Sequence, residues 1–179
     1  MTMWARLLAG AFVATAAEWT PEVTDPCGDP RSVSQAYAGY QATVVEVIDP
    51  VTLLVNVEQP PGMASLAPCE AGPCKVRLVD LVSPADPAIA DPIRRSLSER
   101  CRSKKVSLQV SPHQPDGAFV NAIVTLDRML NEEQLESGSA TYRQEAPYAV
   151  DWYVECRLKR AQAIAQAAHR GVWRHKGVK

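Results

Sequence analysis

The chain has 179 residues, of which 46% are hydrophobic and 22% charged, and its formal net charge is -1. This length suits one domain with short appendages, and the hydrophobic fraction is sufficient for a packed core. A net charge this close to zero produces no strong overall electrostatic field. This excludes proteins that bind nucleic acid or membranes chiefly through their total charge.

Residues 1–17 resemble a secretory leader. Arg6 precedes an apolar run, small residues follow at 14–17, and this order predicts a signal peptide cleaved near Ala17. The apolar run is short for a membrane span. We therefore expect export to the periplasm, the extracellular space or the secretory pathway. An organellar location is the alternative, and a retained leader would anchor the protein to a membrane.

A polar, proline-rich arm is predicted over 18–41, followed by a hairpin of two strands, 43–47 and 52–57, joined at Asp49-Pro50. The loop 58–74 is too long for a simple turn, which indicates either a binding loop or a surface loop tied by a disulfide. Cys69 and Cys74 lie within it, and their spacing predicts a local disulfide of an oxidising compartment. Cys27, Cys101 and Cys156 leave one further pair and one thiol undecided.

A third strand is predicted over 75–82, then a helix with Asp91 as N-cap and Pro92 at the first helical position. Apolar residues at four-residue spacing predict that this helix buries one face. They are Ile89, Ile93, Leu97 and Cys101. A fourth strand over 105–110 and a fifth over 118–126 follow, separated by a turn at Asp116-Gly117.

Asn131 and Gln134 are spaced like a capping box, and Gly138 would end the short helix that they open. A last helix is predicted from Asp151 to His169. Its buried side is expected to carry Leu158, Ala161, Ala165 and Ala168, with Gly171 closing it before a basic tail, 174–179. Residues 153–179 hold seven Lys or Arg against Glu155, which indicates either a phosphate- or lipid-facing end or a solvated helix face.

The element order predicts an α+β fold: a five-stranded, OB-type Greek-key barrel with three helices. Four segments also make the chain resemble the thermonuclease (staphylococcal nuclease-like) family over residues 42–173. They are VVEVIDPVT at 44–52, KVRLVDLVSPAD at 75–86, MLNEEQLESGSATY at 129–142 and AQAIAQAAHRGVW at 161–173.

The resemblance implies calcium-assisted phosphodiester hydrolysis, but most side chains of that chemistry are replaced here. The family's two metal carboxylates fall on Val51 and Val82, its water-positioning glutamate on Ala85, and one phosphate-binding arginine on Ala118. Valine and alanine provide no oxygen for calcium and no base for water. Only Arg77 remains, so the resemblance predicts a degenerate nuclease whose fold persists.

Arg77, with Lys75 nearby, is the candidate for contacting phosphate or another anion; alternatively Arg77 pairs with Asp80 or Glu46 on the barrel surface. A rebuilt metal site is the minor alternative. Its carboxylates would come from Asp49, Asp80 and Asp86, which otherwise are solvated or capping residues.

Three functions are therefore open. The preferred hypothesis is a binding or scaffold module without cofactor, a subunit of a larger assembly that contacts protein partners through the 58–74 loop and the C-terminal helix. The second is a calcium-dependent nuclease with a rebuilt site. The third is a non-catalytic nucleic-acid binder, with a positive surface that joins Arg77 to Lys75, Lys104 and Lys105.

Overall fold

The computed structural model describes residues 25–28, 38–58, 69, 72–111, 119–144 and 150–174. Its strands are β1 (Ala38–Asp49), β2 (Thr52–Glu58), β3 (Cys74–Leu78), β4 (Leu81–Val82), β5 (Lys105–Val110), β6 (Val120–Thr125) and β7 (Thr141–Tyr142). Its helices are α1 (Pro87–Cys101), α2 (Leu130–Glu136) and α3 (Trp152–Ala167), with a 3-10 turn at Gly171–Trp173. Some predictions fall on residues outside these ranges. They concern the leader 1–17, Ala118, and most of the arm, of the 58–74 loop and of the tail.

Five strands close into a barrel in the order β1-β2-β3-β6-β5, which confirms the predicted OB-type barrel with three helices. The long strand β1 pairs antiparallel with both β2 and β5, and β3 pairs parallel with β6. The β1–β2 register shifts between Val44 and Glu46 and again between Val47 and Asp49. Such bulges bend a strand, which lets β1 curl far enough to close the barrel.

The barrel core follows from the two-residue period of the strands, since alternate side chains point to opposite faces. Leu53 and Val55 of β2 are fully buried, as are Val76 and Leu78 of β3. The strand β6 is buried on both faces because α2 packs against its outer side.

The predicted third strand is in fact two strands. The barrel strand β3 ends at Leu78, and β4 turns away to pair with β7. Asp80 lies in the turn between them with a φ of 59°, a conformation that aspartate tolerates better than most residues. Val82 therefore lies outside the barrel sheet.

Helix α1 begins at Pro87, not at Pro92 as predicted. The Asp86 carboxylate accepts a hydrogen bond from the Ala88 N–H at 2.9 Å, so Asp86 is the N-cap and Pro92 lies inside the helix. Two Asp-Pro signals stand five residues apart in the sequence, and the first is the one that is used. Leu97 and Cys101 are buried as predicted, whereas Ile93 is half-buried and Ile89, in the first turn of the helix, is 37% exposed.

The capping box predicted for α2 is wrong. The N-cap is Met129, which makes no side-chain cap, and Asn131 is fully buried. Its side-chain amide bonds to backbone of β6 and of the turn after β3 instead: Oδ1 accepts from the Val124 N–H at 2.9 Å, and Nδ2 donates to the carbonyls of Val79 and Ala122. Gly138 ends α2 as predicted, with a φ of 71°.

Helix α3 is capped by Asp151, whose carboxylate accepts from the N–H groups of Tyr153 and Val154. Its predicted buried side is confirmed for Leu158, Ala161 and Ala165. Ala168 is exposed, because the helix ends at Ala167 and the chain turns away there.

Two disulfides are present. The predicted pair Cys69–Cys74 is confirmed, and Cys27 joins Cys156. The second bond fastens the arm to α3, where Asp25 also accepts a hydrogen bond from the Tyr153 hydroxyl at 3.1 Å. Cys101 is the thiol, and burial raises its pKa. Two disulfides indicate that the protein matures in an oxidising compartment.

Candidate functional site

A row of polar side chains crosses three strands on the outer face of the barrel. In the strand registers Thr52 is paired with Arg77, and Arg77 with Asn121. Their sequence neighbours point into the core, so these three residues share the opposite face. Arg77 is half-buried, and Asn121 is 1% exposed. The closed barrel therefore brings Arg77, the arginine that the thermonuclease resemblance singles out, next to a buried amide.

Arg77 lies over an aromatic ring. Its guanidinium carbon is 4.9 Å from the ring centroid of Phe119, a distance at which a cation is attracted to the face of the ring. Phe119 stands two residues before Asn121 and so shares its side of the chain. Lys75, two residues before Arg77, is exposed on the same face of β3. The alternative pairing of Arg77 with Asp80 or Glu46 stays a prediction.

The resemblance to thermonucleases places two metal carboxylates at Val51 and Val82 and a water-positioning glutamate at Ala85, and all three side chains are apolar. Val51 is 1% exposed and belongs to the core, and its carbonyl accepts a hydrogen bond from the Leu78 N–H at 2.8 Å. Val82 is half-buried in β4, opposite Thr141. Ala85 is exposed just before α1. None of these side chains has an oxygen or a base to offer.

Two of the three candidate metal carboxylates hold backbone turns. Asp49 accepts from the Val51 N–H at 2.7 Å, and Asp86 caps α1. Asp80 is fully buried between β3 and β4. In the part of the chain that the structure describes, no three His, Cys, Asp or Glu side chains are grouped so as to hold a metal ion.

Tyr142 joins the edge of this region to α3, a link that sequence reasoning missed. Burial raises the pKa of the Tyr142 phenol, and the carboxylates of Asp80 and Glu155 raise it further. Its backbone N–H donates to Gln162 at 2.7 Å, and the Lys159 ammonium lies 5.8 Å from its ring centroid. The phenol therefore stays protonated. The only sequence signal was an aromatic residue after a predicted helix.

Lys104 and Lys105 lie apart from this row. Lys105 begins β5 and pairs with Glu58 at 2.8 Å. Only β6 lies between β5 and β3 in the closed barrel, so the separation runs along the strands. Arg77 is paired with Asn121, whose carbonyl accepts from the Ser111 N–H at 2.9 Å, and Lys105 lies at the other end of β5 from Ser111. The structure thus brings together Arg77, Lys75 and Phe119, and does not add the other two lysines.

A scan against protein-family models finds no match for this chain, and a search of curated proteins finds no significant relative. Among the helices of the described residues, none combines the length and apolar character needed to cross a bilayer.

Proposed function

We propose that this protein is an exported, non-catalytic binding module with a thermonuclease-like OB barrel, serving as a subunit of a larger assembly. The observation that carries the proposal is Val51, a family metal-ligand position that is 1% exposed and packed into the barrel core. A carboxylate at that position would have to be buried among apolar side chains, which is strongly unfavourable.

The remaining chemistry agrees with this. Calcium binds through carboxylate and carbonyl oxygens, and Val82 has no side-chain oxygen, while Ala85 has no carboxylate to position a water. Arg77 by itself could stabilise a phosphate charge but would neither position nor activate a water. Arg77 can therefore contribute to binding an anion, whereas Val82 and Ala85 provide neither the metal ligand nor the base that phosphodiester hydrolysis requires.

Protein partners are supported by the outward face of α3. Trp152 is 55% exposed and Ile164 39% exposed, and Ala163 and Ala167 are exposed between and beyond them. Large apolar side chains on a solvent face, tryptophan above all, are typical of protein interfaces. The Cys27–Cys156 bond fixes the arm beside this face. An assembly surface formed by α3 and the arm follows from this.

A second candidate is binding of single-stranded nucleic acid at the barrel face. It is favoured by the pair of Arg77 and Phe119, because a base can stack on the half-buried ring while the arginine contacts phosphate. Lys75 would extend the positive charge along β3.

The first experiment is fluorescence anisotropy of a labelled single-stranded DNA 12-mer, with calcium and then with EDTA. The proposal expects no calcium-dependent fall in anisotropy. A fall with time would mean cleavage, and would establish the nuclease with a rebuilt site. A stable rise in both conditions that Arg77→Ala abolishes would establish the nucleic-acid binder.

The protein-partner proposal is tested by affinity capture from source-cell extract with paired variants. Ile164→Glu places a charge on the α3 face, whereas Arg77→Ala alters the barrel face. We expect the same captured protein with wild type and Arg77→Ala, and its loss with Ile164→Glu. If only the Arg77→Ala variant failed to capture the protein, the interface would be assigned to the barrel face and not to α3. Thermal unfolding of both variants controls for folding.

A further inference from the structure

The second half of α1 and the turn after it form a basic segment. Residues 94–105 contain six Lys or Arg and one acidic residue, Glu99. The six are Arg94, Arg95, Arg100, Arg102, Lys104 and Lys105. All are exposed except Arg94, which is half-buried. This local excess of positive charge is not apparent from the near-neutral net charge of the chain. It is separate from the barrel face that carries Arg77.

A groove runs between this part of α1 and β1. Its α1 side is lined by Arg94, Ser98 and Arg102, and its β1 side by Val45, Glu46 and Val47. The groove encloses about 330 Å³. Residues four apart lie on one face of a helix, so Arg94, Ser98 and Arg102 form a single row along the groove. The first β1–β2 register shift falls at Val45, on the opposite wall.

The two arginines of the groove are weakly compensated. Arg94 has a long, exposed ion pair with Asp91 at 3.8 Å, and such pairs contribute little. Arg102 makes no ion pair with any described residue. By contrast, Arg100 is held by Glu133 at 2.6 Å in a second, larger groove between α1 and α2. The charged groups that line the α1–β1 groove are therefore two guanidinium groups, Arg94 and Arg102, and one carboxylate, Glu46.

We propose that this groove binds a phosphoryl or sulfuryl group of a small ligand such as a phosphate ester or polyphosphate. Guanidinium groups donate in a fixed fork that matches tetrahedral oxyanions, and the Ser98 hydroxyl between them provides a further donor. Residues 94 and 102 are about 12 Å apart along the helix axis, so their long side chains reach one anion from both sides.

The geometry selects the charged group and not an attached base. None of the six described residues that line the groove is aromatic, so it offers no surface on which a base could stack. The negative end of the α1 dipole also lies at Arg102, so the anion is held by side chains and not by the helix. Glu46 opposes the anion and sets a limit on affinity.

The test is isothermal titration calorimetry with tripolyphosphate at low ionic strength. Arg94→Gln/Arg102→Gln and Arg95→Gln/Lys104→Gln remove the same charge, but only the first pair lines the groove. We expect one saturable site, weakened about tenfold or more by the first double variant and less than about threefold by the second. Glu46→Gln is expected to tighten binding. Equal weakening by both doubles, or no binding to wild type, would overturn the site.

Two sources of the phosphoryl group are separated by a vesicle arm. Sedimentation with phosphatidylcholine vesicles containing phosphatidic acid measures binding to a lipid phosphate. Retention that is lost in Arg94→Gln/Arg102→Gln but kept in the control double would assign the groove to lipid. Tripolyphosphate binding without vesicle retention would assign it to a soluble ligand. Vesicle retention that both doubles lose equally would contradict a discrete groove. The nuclease assay does not bear on these outcomes, so the two proposals fail independently.

Discussion

Gly138 and Gly171 are in direct backbone contact, and this contact joins the end of α2 to the end of α3. The Gly138 carbonyl accepts a hydrogen bond from the Val172 N–H at 2.9 Å. A Cβ built on Gly138 would lie 2.3 Å from the Arg170 carbonyl oxygen, and one on Gly171 would lie 2.1 Å from the Gly138 carbonyl oxygen. Both residues also have positive φ values, 71° and 51°. Glycine is therefore required twice, for conformation and for space.

Gly138→Ala is expected to destabilise the protein by at least about 2 kcal/mol, because the clash is with backbone and the left-handed conformation is strained for alanine. Chemical denaturation measures the loss. Gly39→Ala is the control, since a Cβ there meets nothing within 4 Å, and it should change stability by less than about 0.5 kcal/mol. Similar values for the two variants would contradict the contact.

Asn131→Ala is expected to cost about 2 to 4 kcal/mol, because it removes the acceptor of the buried Val124 N–H and a donor to the Val79 and Ala122 carbonyls. The exposed Asn56 on β2 provides the matched control, and Asn56→Ala should be nearly neutral. Urea unfolding of both variants makes the comparison. Asn131 would lose its assigned role if its variant unfolded at the urea concentration of the control.

The two disulfides are expected to differ in their stabilising effect. Cys27 and Cys156 are 129 residues apart, whereas Cys69 and Cys74 are five apart. In chain-entropy terms the long link contributes about 5 kcal/mol and the short one about 2 kcal/mol. Unfolding free energies of the two double-serine variants give the comparison. A larger loss from the Cys69–Cys74 pair would contradict this view.

Asp25 should make the stability depend on pH at the acid end. The Cys27 N–H lowers the pKa of Asp25 most, and the Tyr153 hydroxyl and the charges of Arg157 and Arg160 lower it further. A carboxyl group with a lowered folded-state pKa stabilises above its unfolded value, about 4, and this contribution is lost as the pH falls below that value.

The corresponding measurement is thermal unfolding of wild type and Asp25→Asn across the acid range. We expect the wild type to lose stability more steeply below about pH 4. Tyr153→Phe removes one of the donors and should give an intermediate profile. Parallel curves for wild type and Asp25→Asn would show that Asp25 has no such role.

Much of the candidate site was readable from residue type. Valine and alanine can neither coordinate calcium nor act as a base wherever the chain places them, so this property of Val51, Val82 and Ala85 follows from residue type alone. The contact of Arg77 with Phe119 did need them, because it depends on the parallel register of β3 and β6. Sequence alone offered Asp80 or Glu46 as partners instead.

Local signals decided some elements and misassigned others. The pattern around Asp91-Pro92 is a sound helix start, yet Asp86-Pro87 has the same form and lies where the chain leaves β4. The spacing of Asn131 and Gln134 suits a capping box. Because Asn131 is buried against β6, however, its side-chain amide bonds to the backbone of Val124 and Val79 and not to the start of α2. In both cases the tertiary position selected between two locally acceptable arrangements.

The sequence by itself determined the order of the five barrel strands and the three helices and the short Cys69–Cys74 bond, since each depends on neighbouring residues. Tertiary structure alone decided that Cys27 joins Cys156, that Gly138 meets Gly171, and that Arg94 and Arg102 face β1. These are contacts between distant segments, and closing the barrel selects which segments meet. A local sequence pattern does not indicate which distant segment will pack against it.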